Sequence, residues 1–151
     1  MSFLSHMEMA LEEARAAGAR GEVPVGAVLV GVDGAVLARD GNRVLELRDP
    51  SGHAEVMVIR EACKILQNER LTGCSLYVTL EPCAMCAGLI SQARIARLYY
   101  GAFDPKSGGV MHGARVLSQP QAHHRPEVYD GICESEAAQL LREFFASRRT
   151  R

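Results

Sequence analysis

The chain has no long hydrophobic run and no excess of positive charge. No stretch approaches the roughly 18 uncharged apolar residues of a membrane span, which argues against a membrane protein. Residues 1–20 lack the apolar block and cleavage site of a signal peptide, so we expect a cytoplasmic protein. The formal net charge is −1, so no overall basic field would attract nucleic acid, and any RNA contact must come from a local patch.

Repeats, low-complexity tracts and linkers are also missing from the sequence. Its 151 residues fit a single domain, 1–151, that can bury enough surface to fold without disulfides or other staples. Five cysteines are an odd number for a disulfide framework. In a reducing compartment, cysteines are more often metal ligands or buried thiols.

The spacing of apolar and turn-forming residues predicts an α/β fold. It indicates a mixed, partly parallel sheet of about five strands between helices. A loop is expected over 40–52, and a long loop over 104–125 with one helical turn. Met57, Met85 and Leu89 are expected in the core. The predicted helices are 3–19, 54–67, Pro82 to about Ala93 and 132–149, and the predicted strands are 23–30, 35–39, 75–80, 95–101 and 127–129.

Two short segments carry the chemistry of the sequence, namely His53-Ala54-Glu55 and the Cys83/Cys86 pair. The two cysteines are three positions apart at the start of a predicted helix, which places both sulfurs on one face. A helix N-terminus also favours the thiolate form that binds metal. One imidazole and two thiolates suit Zn²⁺, and three protein ligands leave a fourth position open, as in catalytic zinc sites.

A CxxC pair alone is also compatible with a redox motif or with half of a structural zinc site. Glu55 favours a catalytic zinc site over these two alternatives, because a carboxylate two residues from a ligand can lie beside the metal without binding it. There it can accept a proton from water and pass it to the substrate. The combined H-x-E and P-C-x-x-C pattern is the signature of zinc-dependent deaminases. Water displaces the amine in such a reaction, so no organic cofactor is expected.

With these motifs, the chain resembles the cytidine deaminase superfamily and, within it, the bacterial tRNA adenosine deaminase branch. The resemblance runs over nearly the whole length and favours a three-layer α/β/α fold. Phe103 and the segment 108–112 depart from the usual family pattern. The segments that carry the resemblance are 22–30 (EVPVGAVLV), 41–43 (GNR), 53–55 (HAE), 77–88 (YVTLEPCAMCAG), 94–95 (RI), 100–104 (YGAFD), 124–125 (HR), 144–145 (FF) and 148–149 (RR).

The resemblance implies a homodimer that converts adenosine to inosine at the wobble position of a tRNA anticodon stem-loop. It also implies that Asn42 recognises the target base or its ribose, and that Asp104 contacts the nucleotide backbone near the flipped-out base. We expect further base contacts from the backbone at Ala54 and from Pro82.

The closing helix offers further candidate contacts with RNA. Phe144 and Phe145 could stack on exposed bases. Arg148 belongs to a basic tail with Arg142, Arg149 and Arg151 that could meet phosphates, although cations also complement the C-terminal end of a helix.

Three alternatives remain open at this stage. The first is a metabolic deaminase that acts on a free base or nucleoside, of the guanine or cytosine type, with the same zinc ligands. The second is a non-enzymatic zinc-binding interaction domain, which would need a fourth protein ligand. The third is a second metal site formed by His112, His123 and His124, although loop histidines are more often solvated or hydrogen-bonded.

Overall fold

The computed structural model describes residues 3–149. Arg151 of the predicted basic tail lies outside the described residues, and so does the side chain of Arg149. The helices are α1 (Phe3–Ala19), α2 (Val44–Leu47), α3 (Ala54–Leu66), α4 (Ala84–Gln92) and α5 (Glu134–Arg149), with one 3-10 turn at Val116–Ser118. The strands are β1 (Gly26–Val30), β2 (Val36–Gly41), β3 (Ser75–Leu80), β4 (Arg97–Ala102) and β5 (Glu127–Tyr129).

The five strands form one mixed sheet in the order β2-β1-β3-β4-β5. β1 runs antiparallel to both β2 and β3, whereas β3, β4 and β5 are parallel to one another. β1 and β2 form an antiparallel hairpin, whereas the parallel pairs β3–β4 and β4–β5 are joined by crossovers that carry α4 and the long loop. The predicted α/β fold with a mixed five-stranded sheet is therefore confirmed.

Helices cover both faces of this sheet and make three layers. Val28 and Val30 of β1 pack in a cluster with Met7 and Ala10 of α1, and α1 also contacts α5. The alternate residues Ala27 and Leu29 belong to a larger core with side chains of α3 and α4. This alternation is what the period-two geometry of a strand requires when both faces are buried.

The close approach of α1 to the sheet depends on Gly26. A Cβ atom at this position would lie 2.0 Å from the carbonyl oxygen of Ala10 and 2.5 Å from the amide nitrogen of Ala14. Both atoms are backbone atoms of α1, so neither can turn aside as a flexible side chain could. A side chain at position 26 would therefore push the helix away from the sheet.

Three local predictions were wrong. The segment 40–52 is not all loop, because α2 forms within it. Backbone amides of α2 donate to the carboxylate of Glu22, which is distant in sequence. The α4 helix begins at Ala84 rather than at Pro82, with Cys83 as its N-cap. Met85 is 43% exposed instead of lying in the core, because the buried face of α4 consists of Cys86, Ala87, Ile90 and Ser91. Among residues 3–149, no helix is long and apolar enough to cross a membrane.

Candidate metal centre and active site

The candidate metal ligands lie at the beginnings of two helices. His53 is the N-cap of α3, and Cys83 is the N-cap of α4, immediately after the carboxyl end of β3. Neither cap residue makes a side-chain capping hydrogen bond, so the imidazole and the thiol are available for other partners. Cys86 lies within the first turn of α4 and is buried. The positive ends of two helix dipoles therefore meet at these side chains, where they stabilise thiolates.

The three side chains are close enough to share one metal ion. Nδ1 of His53 is 3.6 Å from Sγ of Cys83 and 3.4 Å from Sγ of Cys86, and all three ligand atoms lie within 4.8 Å of one another. A tetrahedral zinc ion with its usual bond lengths separates nitrogen and sulfur ligands by about 3.5 Å. The donor set and its spacing therefore fit zinc.

The close approach of these side chains shifts their pKa values in opposite directions. The pKa of Cys83 is lowered to about 4, chiefly because the Cys86 thiol donates a hydrogen bond to its sulfur and also because His53 lies beside it. The same hydrogen bond, together with burial, raises the pKa of Cys86. Burial raises the pKa of Glu55, which lies in the first turn of α3 next to the cysteines. A carboxyl group with a raised pKa is suited to exchanging protons near neutral pH.

These groups open into a cavity of about 520 Å³. The structure brings to its walls three of the predicted chemical residues, His53, Glu55 and Cys83. It also brings five predicted substrate contacts to the same walls, namely Asn42, Asp104, Phe144, Phe145 and Arg148. A pocket of this size, mostly apolar with a few converging polar groups, is typical of a small-molecule or base-binding site.

Ala54 and Pro82 do not line this cavity, although both were expected to contact the substrate. Both are buried. The amide N–H of Ala54 donates to Oδ1 of Asn42 at 2.8 Å, and the carbonyl of Pro82 accepts from the amide of Gly109 at 2.8 Å. Their contribution to substrate binding stays a prediction.

The hydrogen bond from Ala54 fixes the orientation of the Asn42 side chain. Because Oδ1 accepts this bond, the amide group presents its Nδ2 donor on the other side. Among residues 3–149, none accepts a hydrogen bond from Nδ2. Asn42 is nearly buried and lines the cavity. It can therefore donate to an acceptor of a ligand while its position remains tied to the start of α3.

The C-terminal helix closes one side of the cavity. The Arg148 guanidinium lies 4.0 Å from the centre of the Phe144 ring and donates to the carbonyl oxygen of Gly21 at 3.3 Å. Phe145 packs edge-on against Phe144 and is 43% exposed. The helix thus presents an exposed aromatic ring and a cation at the cavity.

Sequence reasoning missed two buried acidic residues in the cavity wall. Glu22 accepts hydrogen bonds from the amides of Leu45 and Glu46 at 3.1 and 2.9 Å, which holds α2 against the cavity. Glu81 organises the segment 104–112. Burial by itself would raise the pKa of Glu81, but hydrogen bonds from the Asp104 amide and from His112 outweigh it and lower the pKa. The available signal in the sequence was a charged residue within an apolar motif. A carboxylate that is buried there requires hydrogen-bond donors around it.

The predicted alternative of a second metal site is not supported among residues 3–149. His53, Cys83 and Cys86 are the one group of at least three potential ligands found there. His112 instead contacts Glu81 through Nδ1 at 2.8 Å, and Nε2 of His124 lies 2.8 Å from the carbonyl of Ile95.

Comparison with known proteins identifies the class of this site. A sequence model of the cytidine and deoxycytidylate deaminase zinc-binding region matches residues 3–102, and the chain belongs to this family. A tRNA-specific adenosine deaminase from Agrobacterium fabrum (strain C58) is 62% identical over 143 residues, covering 95% of this chain and 93% of that protein.

Two solved structures extend the comparison. One, from work on A-to-I editing by tRNA:A34 deaminases at the wobble position of transfer RNA, superposes with a TM-score of 0.89. It is 62% identical and covers 91% of this chain and 99% of its own. Guanine deaminase from Bacillus subtilis is 40% identical, with a TM-score of 0.66 and coverage of 68% of this chain and 66% of that one.

Proposed function

We propose that the chain is a zinc-dependent hydrolytic deaminase that converts adenosine to inosine at the wobble position of a tRNA anticodon. The observation that carries this conclusion is one cavity in which His53, Cys83 and Glu55 face Asn42 and the aromatic and basic side chains of α5. The high identity to a tRNA-specific adenosine deaminase over most of the chain supports the same substrate.

The proposed chemistry divides the work among few residues. Zinc held by His53, Cys83 and Cys86 would supply a water molecule activated at neutral pH, since zinc lowers the pKa of bound water from 15.7 to about 7. Glu55 accepts a proton from the attacking water and delivers it to a ring nitrogen of adenine. It then transfers the second proton to the amino group. The C6–O bond forms, the C6–N bond breaks, and ammonia leaves.

The remaining residues bind and orient the nucleotide. Asn42 donates from Nδ2 to the base or ribose, and Asp104 contacts the backbone of the flipped-out nucleotide. Contacts of the base with Ala54 and Pro82 stay a prediction, because neither residue lines the cavity. Phe145, with Phe144 behind it, stacks on a neighbouring base, and Arg148 provides a positive charge for phosphate. Arg148 and the two phenylalanines would form the local patch that RNA binding requires, since the chain has no overall positive charge.

We also propose a homodimer formed through the outer face of α4. This nine-residue helix is apolar on nearly every side, AMCAGLISQ, yet Ala84 and Met85 are exposed. A helix with apolar residues on all faces is normally buried. A second copy of the chain would cover this face. The substitution Met85→Glu should then shift the sedimentation equilibrium towards the monomer, and an unchanged mass would contradict this interface.

We place the enzyme in the cytoplasm. All five cysteines are free thiols, and thiolate ligands persist in a reducing compartment, where tRNA also occurs.

The function is tested by incubating the zinc-loaded chain with a tRNA anticodon stem-loop and digesting the RNA to nucleosides. We expect inosine to replace the wobble adenosine. In parallel, guanine, cytosine and their nucleosides are offered, and free ammonia is measured. Ammonia from a free base without inosine in RNA would favour the metabolic alternative, for which the likeness to guanine deaminase is the supporting observation. Zinc binding without any deamination would favour an interaction domain.

A further inference from the structure

The side chain of Glu81 is completely buried next to the metal-binding segment, yet it is not isolated. Its Oε1 accepts from the amide of Asp104 at 3.0 Å and lies 2.8 Å from Nδ1 of His112. Its Oε2 accepts from the amides of Val110, Met111 and His112 at 3.2, 2.9 and 3.1 Å. One carboxylate therefore joins the beginning and the end of the segment 104–112, which we call the rim loop.

The rim loop is also attached to the segment that leads into the metal site. The amide of Gly109 donates to the carbonyl of Pro82, and the amide of Gly108 donates to the carbonyl of Asp104, both at 2.8 Å. Gly108 forms an isolated bridge with Cys83. Two residues of the rim loop, Asp104 and Ser107, line the cavity. The position of these two side chains thus depends on how the loop is held.

The packing around the carboxylate leaves the rim loop little freedom to shift. A Cβ atom on Gly108 would lie 2.5 Å from the carboxyl carbon of Glu81 and from the carbonyl oxygen of Asp104. A Cβ atom on Gly109 would lie 2.5 Å from the amide nitrogen of Ala84. The loop backbone therefore lies directly against Glu81 and the first residue of α4, and only glycine fits at these two positions.

The five contacts of Glu81 also exclude it as a second proton-transfer group beside Glu55. A carboxylate has about four lone-pair sites, and here five donors compete for them. Glu81 has no acceptor capacity left for a substrate or a water, although it borders the cavity. Glu55, in contrast, borders the cavity without such a set of backbone donors. The two buried acids therefore have different tasks.

We infer that Glu81 is a positioning residue that fixes the rim loop so that Asp104 and Ser107 meet the substrate's sugar-phosphate backbone. Glu81 then controls affinity for the polynucleotide and leaves the chemical step to Glu55. This inference rests on the proposed deamination of an RNA adenosine.

The substitution Glu81→Gln tests it, because glutamine keeps the size but places an NH₂ group opposite N–H donors. With the zinc-loaded full chain and an anticodon stem-loop, we expect KM to rise about tenfold, with kcat and zinc content within about twofold of wild type. Glu127→Gln is the matched control, since Glu127 forms an exposed ion pair with Arg97 on β4. It should leave KM unchanged. A purely structural role for Glu81 would instead reduce the active fraction and hence kcat, with KM constant, and that result would overturn the inference.

A double-mutant cycle identifies the route of the effect. If Glu81 acts through Asp104 and its loop, Glu81→Gln should raise KM much less in an Asp104→Ala background than in wild type. Fully multiplicative effects would contradict the inference. Should Glu81→Gln fail to fold, His112→Ala removes one contact and keeps the four backbone donors, and we expect KM to rise about threefold. An unchanged KM in that variant would also contradict it.

The same assays separate this inference from the function on which it rests. A wild-type chain that forms no inosine in the stem-loop would overturn both. Inosine formation by wild type, with the KM of Glu81→Gln equal to that of wild type, would overturn the positioning role alone.

Discussion

The substitution Glu55→Gln separates proton transfer from metal binding and folding. Glutamine has the size and shape of glutamate, and the Glu55 side chain is buried in the first turn of α3. The variant keeps His53, Cys83 and Cys86, so zinc content should stay at the wild-type level. Burial raises the pKa of Glu55, which means that the charged form is costly in the fold. Because the amide removes this cost, the unfolding midpoint of the zinc-free chain at neutral pH should be unchanged or higher.

The expected loss of activity follows from the role of the carboxylate. A positioned general acid–base group contributes typically 10²–10⁴-fold to the rate. At about 1.36 kcal/mol for each factor of ten, this corresponds to about 2.7–5.4 kcal/mol of transition-state stabilisation. Glu55 serves two successive proton transfers in the proposed reaction. We therefore expect the upper half of this range, a loss of roughly 10³–10⁴-fold.

Single-turnover formation of inosine, with enzyme in excess over stem-loop RNA, measures the chemical step directly. Zinc is quantified in the same preparations. The control is Glu61→Gln, which makes the same chemical change on an exposed position of α3 and should keep wild-type rates. A Glu55→Gln rate within about tenfold of wild type, with full zinc content, would refute the assignment of proton transfer to this residue.

Three further predictions concern the metal and the fold. Cys83→Ser should bind less than a tenth of the wild-type zinc and lose deamination, and full zinc content by atomic absorption would contradict the ligand set. Gly26→Ala should cost about 3 kcal/mol or more in urea unfolding, because its Cβ meets the backbone of α1; a loss below about 1 kcal/mol would show that the helix can shift. Burial lowers the pKa of His6, and no described residue bonds either ring nitrogen. The unfolded chain therefore binds more protons, and stability should fall as the pH drops through about 6.5, the ordinary value for histidine. His6→Leu should reduce this slope in urea titrations at several pH values, and an identical slope would contradict it.

The sequence was most informative where chemistry and local geometry coincide. The three-residue spacing of Cys83 and Cys86 already fixes their relative placement at the start of a helix, and the HxE motif places Glu55 next to His53. Short segments rich in β-branched and apolar residues, bounded by turn-forming residues, predicted all five strands. These features depend on neighbours within a few positions, so they can be derived before any tertiary contact is known.

The parts that were missed depend on contacts between distant residues. The helix α2 has four residues and no buried side chain of its own, and it is held by Glu22, which lies 23 positions before Leu45. No local periodicity marks such a helix. The role of Glu81 likewise becomes visible only when the chain returns with residues 104–112. Met85 was misplaced because an apolar residue on a helix next to the site resembles a core residue until the sheet direction is known.

His53 and Cys83 are 30 positions apart, and each one begins a helix. An ion bound by both would join two helices that otherwise start independently, so occupancy and folding must be thermodynamically linked. A ligand at 100 times its dissociation constant stabilises the folded state by about 2.7 kcal/mol. Starvation of cells for this metal should therefore do more than silence the enzyme. It should shorten the protein's lifetime, because the depleted chain opens more often to proteases.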